Sequence, residues 1–504
     1  MTIARNPAMS ASGNARWIGL IQLSRIGAQL VSLVFLSRLL SPQEFGLVAM
    51  AVAVTNFAQL LRDLGTAAAI IQKPQLDERT ITTAFWMNCA FGTLLGLTIA
   101  LSAPWVAALF KAPQVKGLLL LLAVAFPIGG VTIVHQALLE RAGRFALVAR
   151  VEITSAFAGL CVALIAANAH GGAYSLVLQS LTIACASTLQ LLVQSEWKPR
   201  WVWGKREFLE LWRFGGPVSG SNFINYFARN VDSVVIGRVL GAVSLGPYSL
   251  ANRIMLFPLY NLTFVATRAL FPVMSQVMSC GPQRRNDLAG LYLRALATIA
   301  FFTAPLMAGL FVLREPFVNV FLGARWSPVI ELIAWLAPVG FVQSLLSPSG
   351  SVFMALGRPD LLPKVGGISM LLQVLSFVIG VRWGVVGVAQ CYLLATVLSA
   401  VLCSSVTLLV LGSRPRQLFA ALYRPVAIAL VMACCVHLWH ANLHASLREG
   451  VQLALFAGGG ALLYFGLMQM AAPALAHDVL KVLANRREQR MDLPEVVAQR
   501  EGAL

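Results

Sequence analysis

Charge is the scarcest thing in this chain of 504 residues. Only 12% of them are Asp, Glu, Lys or Arg, about half the roughly 25% of a soluble domain. Acidic groups are scarcer still, 20 against 38 basic ones, for a net charge of +18. Long polar stretches are lacking too, so no connection has room for a soluble catalytic or binding domain. There is no glycine-rich phosphate loop, nucleophile elbow or metalloprotease helix. Cysteine decides little. Cys89, Cys161, Cys185, Cys391, Cys403, Cys434 and Cys435 lie in apolar runs and Cys280 in a connection. None has zinc spacing, and none falls in an outer loop where a disulfide could form. His437, His440 and His444 share a helical face but have no carboxylate beside them, so neither a metal nor any other cofactor is expected.

What is abundant is apolar sequence, 58% of the residues. A bilayer core of about 30 Å takes about 20 apolar residues per helix. Fourteen stretches meet that length, near 17–40, 45–72, 81–102, 115–138, 147–168, 172–195, 214–240, 247–276, 291–313, 328–356, 361–381, 385–411, 425–443 and 450–471. The expected fold is an all-α integral membrane protein of 14 transmembrane helices. With the N-terminus in the cytoplasm, 25 of the 38 Lys and Arg fall in inner segments, 8 in outer loops and 5 within spans. That is the positive-inside bias, and it puts both termini in the cytoplasm. The basic surface then faces anionic lipid headgroups, and no nucleic-acid partner is expected. The first apolar run carries Arg25 and no small-residue cleavage site, so it is expected to remain as a signal anchor.

A repeat runs through the chain with a shift of 200 residues. Ser37-Arg38-Leu39-Leu40 matches Gly237-Arg238-Val239-Leu240, and Phe45-Gly46-Leu47 matches Leu245-Gly246-Pro247. Polar positions match as well: Gln22, Arg25, Gln29 and Ser32 correspond to Asn222, Asn225, Arg229 and Asp232. Ala142-Gly143-Arg144 and Leu356-Gly357-Arg358 form a weaker echo. Six spans separate the copies, so both run the same way through the membrane, as in parallel repeats about an axis along its normal. The organisation expected is a six-helix lobe over 1–196, a basic cytoplasmic linker over 197–213, a second six-helix lobe over 214–411, two extra helices over 412–472 and a cytoplasmic tail over 473–504. Trp197, Trp201, Trp203 and Trp212 place the linker at the interface, where indole rings prefer to sit.

Inside the spans the polar residues fall in stripes. Asn222, Asn225, Arg229 and Asp232 step by three and four and share one helical face, with Tyr226 beside it. Gln22, Arg25, Gln29 and Ser32 do the same. Asn56, Gln59, Arg62 and Asp63 lie in the second stretch, and Asn252, Arg253, Tyr260, Asn261 and Arg268 in the eighth. An Arg at mid-bilayer costs about 2.5–3.5 kcal/mol even on the lenient insertion scale. Arg25, Arg62, Arg229, Arg253 and Arg268 therefore face a bundle interior, a watery cavity or a partner. Internal ion pairs such as Arg229 with Asp232, or snorkelling near helix ends, are one reading. Lining a solute pathway is the other, and the excess of Arg over Asp and Glu points to an anionic solute. The candidate substrate-binding set is Arg25, Gln29, Arg62, Asn222, Asn225, Tyr226, Arg229, Asp232, Arg253 and Arg268; no catalytic set is expected.

The stretch Leu40-Ser41-Pro42-Gln43-Glu44-Phe45-Gly46-Leu47-Val48-Ala49-Met50 resembles the first loop and second helix of bacterial polysaccharide flippases. So do Ala137-Leu138-Leu139-Glu140-Arg141, Asn225-Tyr226-Phe227-Ala228-Arg229-Asn230-Val231-Asp232, and Ile236-Gly237-Arg238 through Tyr248-Ser249-Leu250-Ala251. The family is the Wzx-type lipid-linked oligosaccharide exporters of the multidrug/oligosaccharidyl-lipid/polysaccharide superfamily, in the colanic acid and xanthan branch. The resemblance implies two six-helix lobes in a V around a cationic cavity. It implies transfer of undecaprenyl-diphosphate-linked repeat units from the cytoplasmic to the periplasmic leaflet of the bacterial inner membrane, for exopolysaccharide or lipopolysaccharide biosynthesis. The partners implied are the lipid-linked oligosaccharide and membrane lipids, with a polysaccharide polymerase and a chain-length regulator as further candidates. A lipid II flippase and a drug/cation antiporter of the same superfamily are the rival transporters. A membrane-embedded polymerase or ligase is the rival enzyme, disfavoured because its catalysis calls for a large outer loop.

Overall fold

The computed structural model describes residues 11–62, 65–73, 76–209, 230–279, 285–442, 449–473 and 477. Among the described residues helix is the regular structure, which satisfies backbone groups within each segment where no water can. In chain order the helices are α1 (Ala11–Leu39), α2 (Pro42–Arg62), α3 (Thr66–Gln72), α4 (Glu78–Phe110), α5 (Gln114–Arg141), α6 (Phe145–Asn168), α7 (Tyr174–Gln194), α8 (over 230–239), α9 (Gly241–Ser279), α10 (Arg285–Val312), α11 (Arg314–Phe321), α12 (Ser327–Leu346), α13 (Ser349–Ala355), α14 (Leu361–Gly380), α15 (Gly384–Leu411), α16 (Pro415–Asn442) and α17 (Glu449–Ala471). Nine helical segments among the described residues are long and apolar enough to cross a membrane. This is a multi-pass membrane protein.

One of the nine, Leu361–Leu411, is 51 residues long and folds back on itself. The turn at 381–383 separates α14 from α15, which pack together. A Cβ on Gly380 would lie 2.7 Å from the Gly387 carbonyl oxygen, so the hairpin closes only with glycine there.

Three apolar stretches end elsewhere than the sequence indicates. The second, 45–72, is two helices, because Gly65 adopts a left-handed φ of 72° between α2 and α3. The tenth, 328–356, breaks after α12, where Pro348 lacks the N–H that would continue the ladder. The third runs on to Phe110, which leaves only Lys111–Pro113 before α5.

The chain divides into two compact units, Met1–Ser249 and Leu250–Leu504. In the first, α4 packs on α5, α6 on α7 and α5 on α7, while α1 lies on α6. In the second, α10 packs on α12, α14 on α15 and α12 on α15. These three pairings of the first unit thus have counterparts in the second. The second unit adds α16 and α17 on α10, sealed by Phe301, Met432, Phe456 and Tyr464.

Arg141 at the end of α5 ties α3 into the first unit. Its Nη1 donates to the carbonyls of Ile70 and Lys73, each at 2.6 Å, at the C-terminus of α3 where backbone acceptors lack helical partners. Arg141→Ala is expected to cost about 1–3 kcal/mol, the penalty of orphaning part-buried acceptors. A melting curve in detergent would register it as a lower Tm; an unchanged Tm would mean the clasp is idle.

Candidate functional site

Asp232 on α8 is the best-defined intramembrane ionisable group among the described candidates. It is 4% exposed. A buried carboxylate is expensive unless hydrogen-bonded, and this one is. The Ser233 backbone N–H donates to Oδ1 at 2.6 Å, and the Tyr248 hydroxyl donates to Oδ2 at 3.1 Å. Tyr248 is fully buried on α9. The turn at Leu240 explains the pairing. Asp232 stands eight residues before it and Tyr248 eight after it, so each is about 12 Å along its helix at 1.5 Å per residue. The two helices run back to back from that turn and bring the side chains level.

In the other copy of the repeat, the residues 200 positions earlier are Ser32 and Val48. Ser32 donates its hydroxyl neither to residue 48 nor to its own turn; it exchanges hydrogen bonds with Gln179 of α7 at 2.9–3.2 Å. The carboxylate is therefore a property of one copy only. Asp232→Asn keeps an acceptor for the Ser233 N–H, lets its amide donate to the Tyr248 hydroxyl oxygen and removes the charge, whereas Tyr248→Phe keeps the charge and removes a donor. Tyr248→Phe is expected to lower stability by about 1–3 kcal/mol, and Asp232→Asn to lower the export that the sequence resemblance implies, with little change in Tm. If both variants fall only in Tm, the pair is a structural clasp.

At the start of α2 the family-like motif has a plain physical content. Ser41 and Glu44 form a capping box: the Ser41 N–H donates to Glu44 Oε2 at 2.6 Å, and the Glu44 N–H to Ser41 Oγ at 3.4 Å. Pro42 occupies the first helical position, where no N–H is needed. One turn on, Gly46 lies against the start of α9. A Cβ there would overlap the Ala242 carbonyl, and a Cβ on Gly246 would overlap the Pro42 carbonyl. Each contact maps onto the other under the 200-residue shift, 42 to 242 and 46 to 246.

Other candidates fall as follows. Gln29 is exposed on α1. In the second unit Arg253 is exposed on α9, next to a half-buried Asn252. Asn222, Asn225, Tyr226 and Arg229 lie outside the described residues, as do the side chains of Arg25, Arg62 and Arg268. The sequence did not single out Tyr248 or the glycine pair as site residues. Symmetry about Leu240 was the signal that could have found the tyrosine.

A multi-helix membrane fold that holds the Asp232 carboxyl inside a helix pair defines a multi-pass membrane protein with an ionisable group in its interior. The chain belongs to the polysaccharide biosynthesis protein family, whose model matches residues 35–331. The resemblance read from Leu40–Met50 and Asn225–Asp232 is borne out. The teichuronic acid biosynthesis protein TuaB of Bacillus subtilis (strain 168) is 27% identical over 93% of this chain and 97% of its own length. The lipopolysaccharide biosynthesis protein WzxC of Escherichia coli (strain K12) is 26% identical over 82% of this chain and 85% of its own. Among solved structures, the lipid II flippase MurJ in an inward closed conformation superposes with a TM-score of 0.72, covering 90% of this chain and 98% of MurJ. At 16% identity that likeness speaks for the fold.

Proposed function

We propose that this protein flips undecaprenyl-diphosphate-linked oligosaccharide repeat units from the cytoplasmic to the periplasmic leaflet of the inner membrane by alternating access. The product would feed exopolysaccharide or lipopolysaccharide biosynthesis. The family membership carries the reading: relatives matched over most of their length are named for teichuronic acid and lipopolysaccharide biosynthesis. The fold shared with a lipid-linked-precursor flippase supports it. A diphosphate cannot cross hydrocarbon unaided, because stripping its hydration is too costly. The Arg residues of the predicted spans would supply what it needs, a charge that persists when dry and a fork that matches phosphate oxygens. The proposed role is transport, with no catalytic residues; a polymerase and a chain-length regulator are the proposed partners downstream.

We read the architecture as fourteen spans in two parallel six-helix lobes, 1–196 and 214–411, joined by the 197–213 linker, with α16 and α17 added. Thirteen described helices have 20 or more residues, and α8 is the visible end of the stretch predicted from residue 214. The packing plan common to both units supports the repeat. So do the matched helix ends at Gly143 and Gly357, both with positive φ and the same closing hydrogen bonds, Arg144 N to Leu139 O and Arg358 N to Phe353 O at 2.9 Å. A phosphatase fused after Leu504 is expected to be inactive, since the positive-inside bias keeps that end in the cytoplasm; activity in the periplasm would invert the topology.

The function is tested by expression in strains lacking their own flippase. Rescue of surface polysaccharide in a flippase-deficient exopolysaccharide strain is the expected result. Rescue of a strain depleted of its lipid II flippase, without polysaccharide rescue, would favour peptidoglycan precursor as the substrate. The likeness to MurJ makes that the reading to compare.

A further inference from the structure

Residues 196–209 form a strap that is fixed to the protein on one side and bare on the other. It follows α7 and lies along the first turns of α4 and the last turns of α5. Trp197 packs beside Phe85 and His135, at ring distances of 5.6 and 5.4 Å. Trp86 Nε1 donates to the Arg200 carbonyl at 2.8 Å, and its ring stacks on Trp201 at 4.1 Å. The Gly204 N–H donates to Thr83 Oγ1 at 3.1 Å. Glu196 pairs with Arg144 at 2.9 Å and Arg200 with Glu78 at 3.1 Å.

The other side holds a mixture that neither water nor hydrocarbon suits. Trp201 is 88% exposed and Trp203 55%, with Val202 and Leu209 exposed beside them. Lys198, Lys205 and Arg206 are exposed there too. Glu207 is the remaining carboxylate of the segment, so the cations not engaged by Glu196 or Glu78 outnumber it. Depth settles what this surface meets. Thr83 and Trp86 stand five and eight residues into α4, so the strap is stapled about 8–12 Å along a membrane-crossing helix from its end. At 33 residues α4 is about 50 Å long and overhangs a bilayer core of about 30 Å by about 10 Å at each end when centred, which puts the strap at headgroup depth, where indole rings settle.

Resting on the topology read above, we propose that 197–209 is a docking surface for anionic phospholipid of the inner leaflet. Trp201 and Trp203 enter the headgroup layer, and Lys198, Lys205 and Arg206 hold lipid phosphates. Because the strap is stapled to α4 and α5, the leaflet grips those helices directly.

The full-length protein would be placed in phosphatidylcholine nanodiscs containing equal fractions of either brominated phosphatidylglycerol or brominated phosphatidylcholine. The strap's fluorescence is the difference between wild type and Trp201→Phe/Trp203→Phe. If the double variant folds poorly, Trp203→Phe alone serves, since it spares the Trp86–Trp201 stack. Each cation near an anionic leaflet favours contact by about fivefold, so quenching by the brominated anionic lipid is expected to exceed that by the zwitterionic one by at least about threefold. The preference should vanish in about 0.5 M salt, where the Debye length is only a few ångström, and in Lys198→Gln/Lys205→Gln/Arg206→Gln. No quenching by either lipid would mean the strap faces water, and equal quenching would mean it recognises no headgroup; either result overturns the proposal. Displacement of the anionic lipid by a few per cent of undecaprenyl diphosphate would also overturn it, by making the transported lipid the occupant.

Discussion

Arg229→Ala is expected to abolish most polysaccharide export while the protein remains inserted, and Arg229→Lys to retain part of it. A guanidinium holds a diphosphate or acidic sugar through two parallel hydrogen bonds, and Lys offers the charge without the fork. One hydrogen bond to a charged group is worth about 1.5–3 kcal/mol, so losing it lowers transport by about tenfold or more. Arg25 occupies the corresponding stripe of the first repeat, seven residues before Ser32 as Asn225 is before Asp232. The double variant Arg25→Ala/Arg229→Ala should therefore export less than either single one. Surface polysaccharide in a strain lacking the native gene is the readout, beside protein level in the membrane. Normal export by the double variant would remove both residues from the mechanism.

Gly46→Leu is expected to be nearly as damaging for a different reason. The obstacle it meets is backbone, the Ala242 carbonyl, which cannot rotate away as a side chain could. Overpacking of this kind costs about 1–3 kcal/mol even where neighbours yield. The starts of α2 and α9 would have to part, and any conformation that needs them joined becomes inaccessible. Gly246→Leu meets the Pro42 carbonyl in the mirrored position and should match it. Since both substitutions break one crossing, their effects should not add, as residues sharing a contact rarely do. Export and Tm measured for the two single variants and the double would show this. Full additivity would mean that the two glycines act apart.

The class of fold was legible because apolar length is a one-dimensional signal. The turn between α14 and α15 was legible too, since Arg382-Trp383-Gly384 interrupts the run. The break at Gly65 was not, because a single glycine in an apolar stretch is usually tolerated within a membrane helix. Asp232 stood out by its three-and-four spacing from Asn222, Asn225 and Arg229. Its partner Tyr248 did not, because periodicity within one helix says nothing about what the next helix brings alongside. Gly46 and Gly246 were aligned by the repeat, but alignment gives equivalence and not adjacency. Only the crossing of α2 and α9 makes them neighbours.

The connections at 40–41, 111–113 and 381–383 are two or three residues long, and the proposed topology puts all three on the periplasmic face. Turns this short offer a downstream partner little to hold; among the described residues the larger feature on that face is the connection carrying α11 (Arg314–Phe321). At these three turns the proposed polymerase partner would have to reach down to the membrane plane to meet the released sugar chain. Tags or reporters meant for that face therefore belong in the connection around α11 and not in these turns.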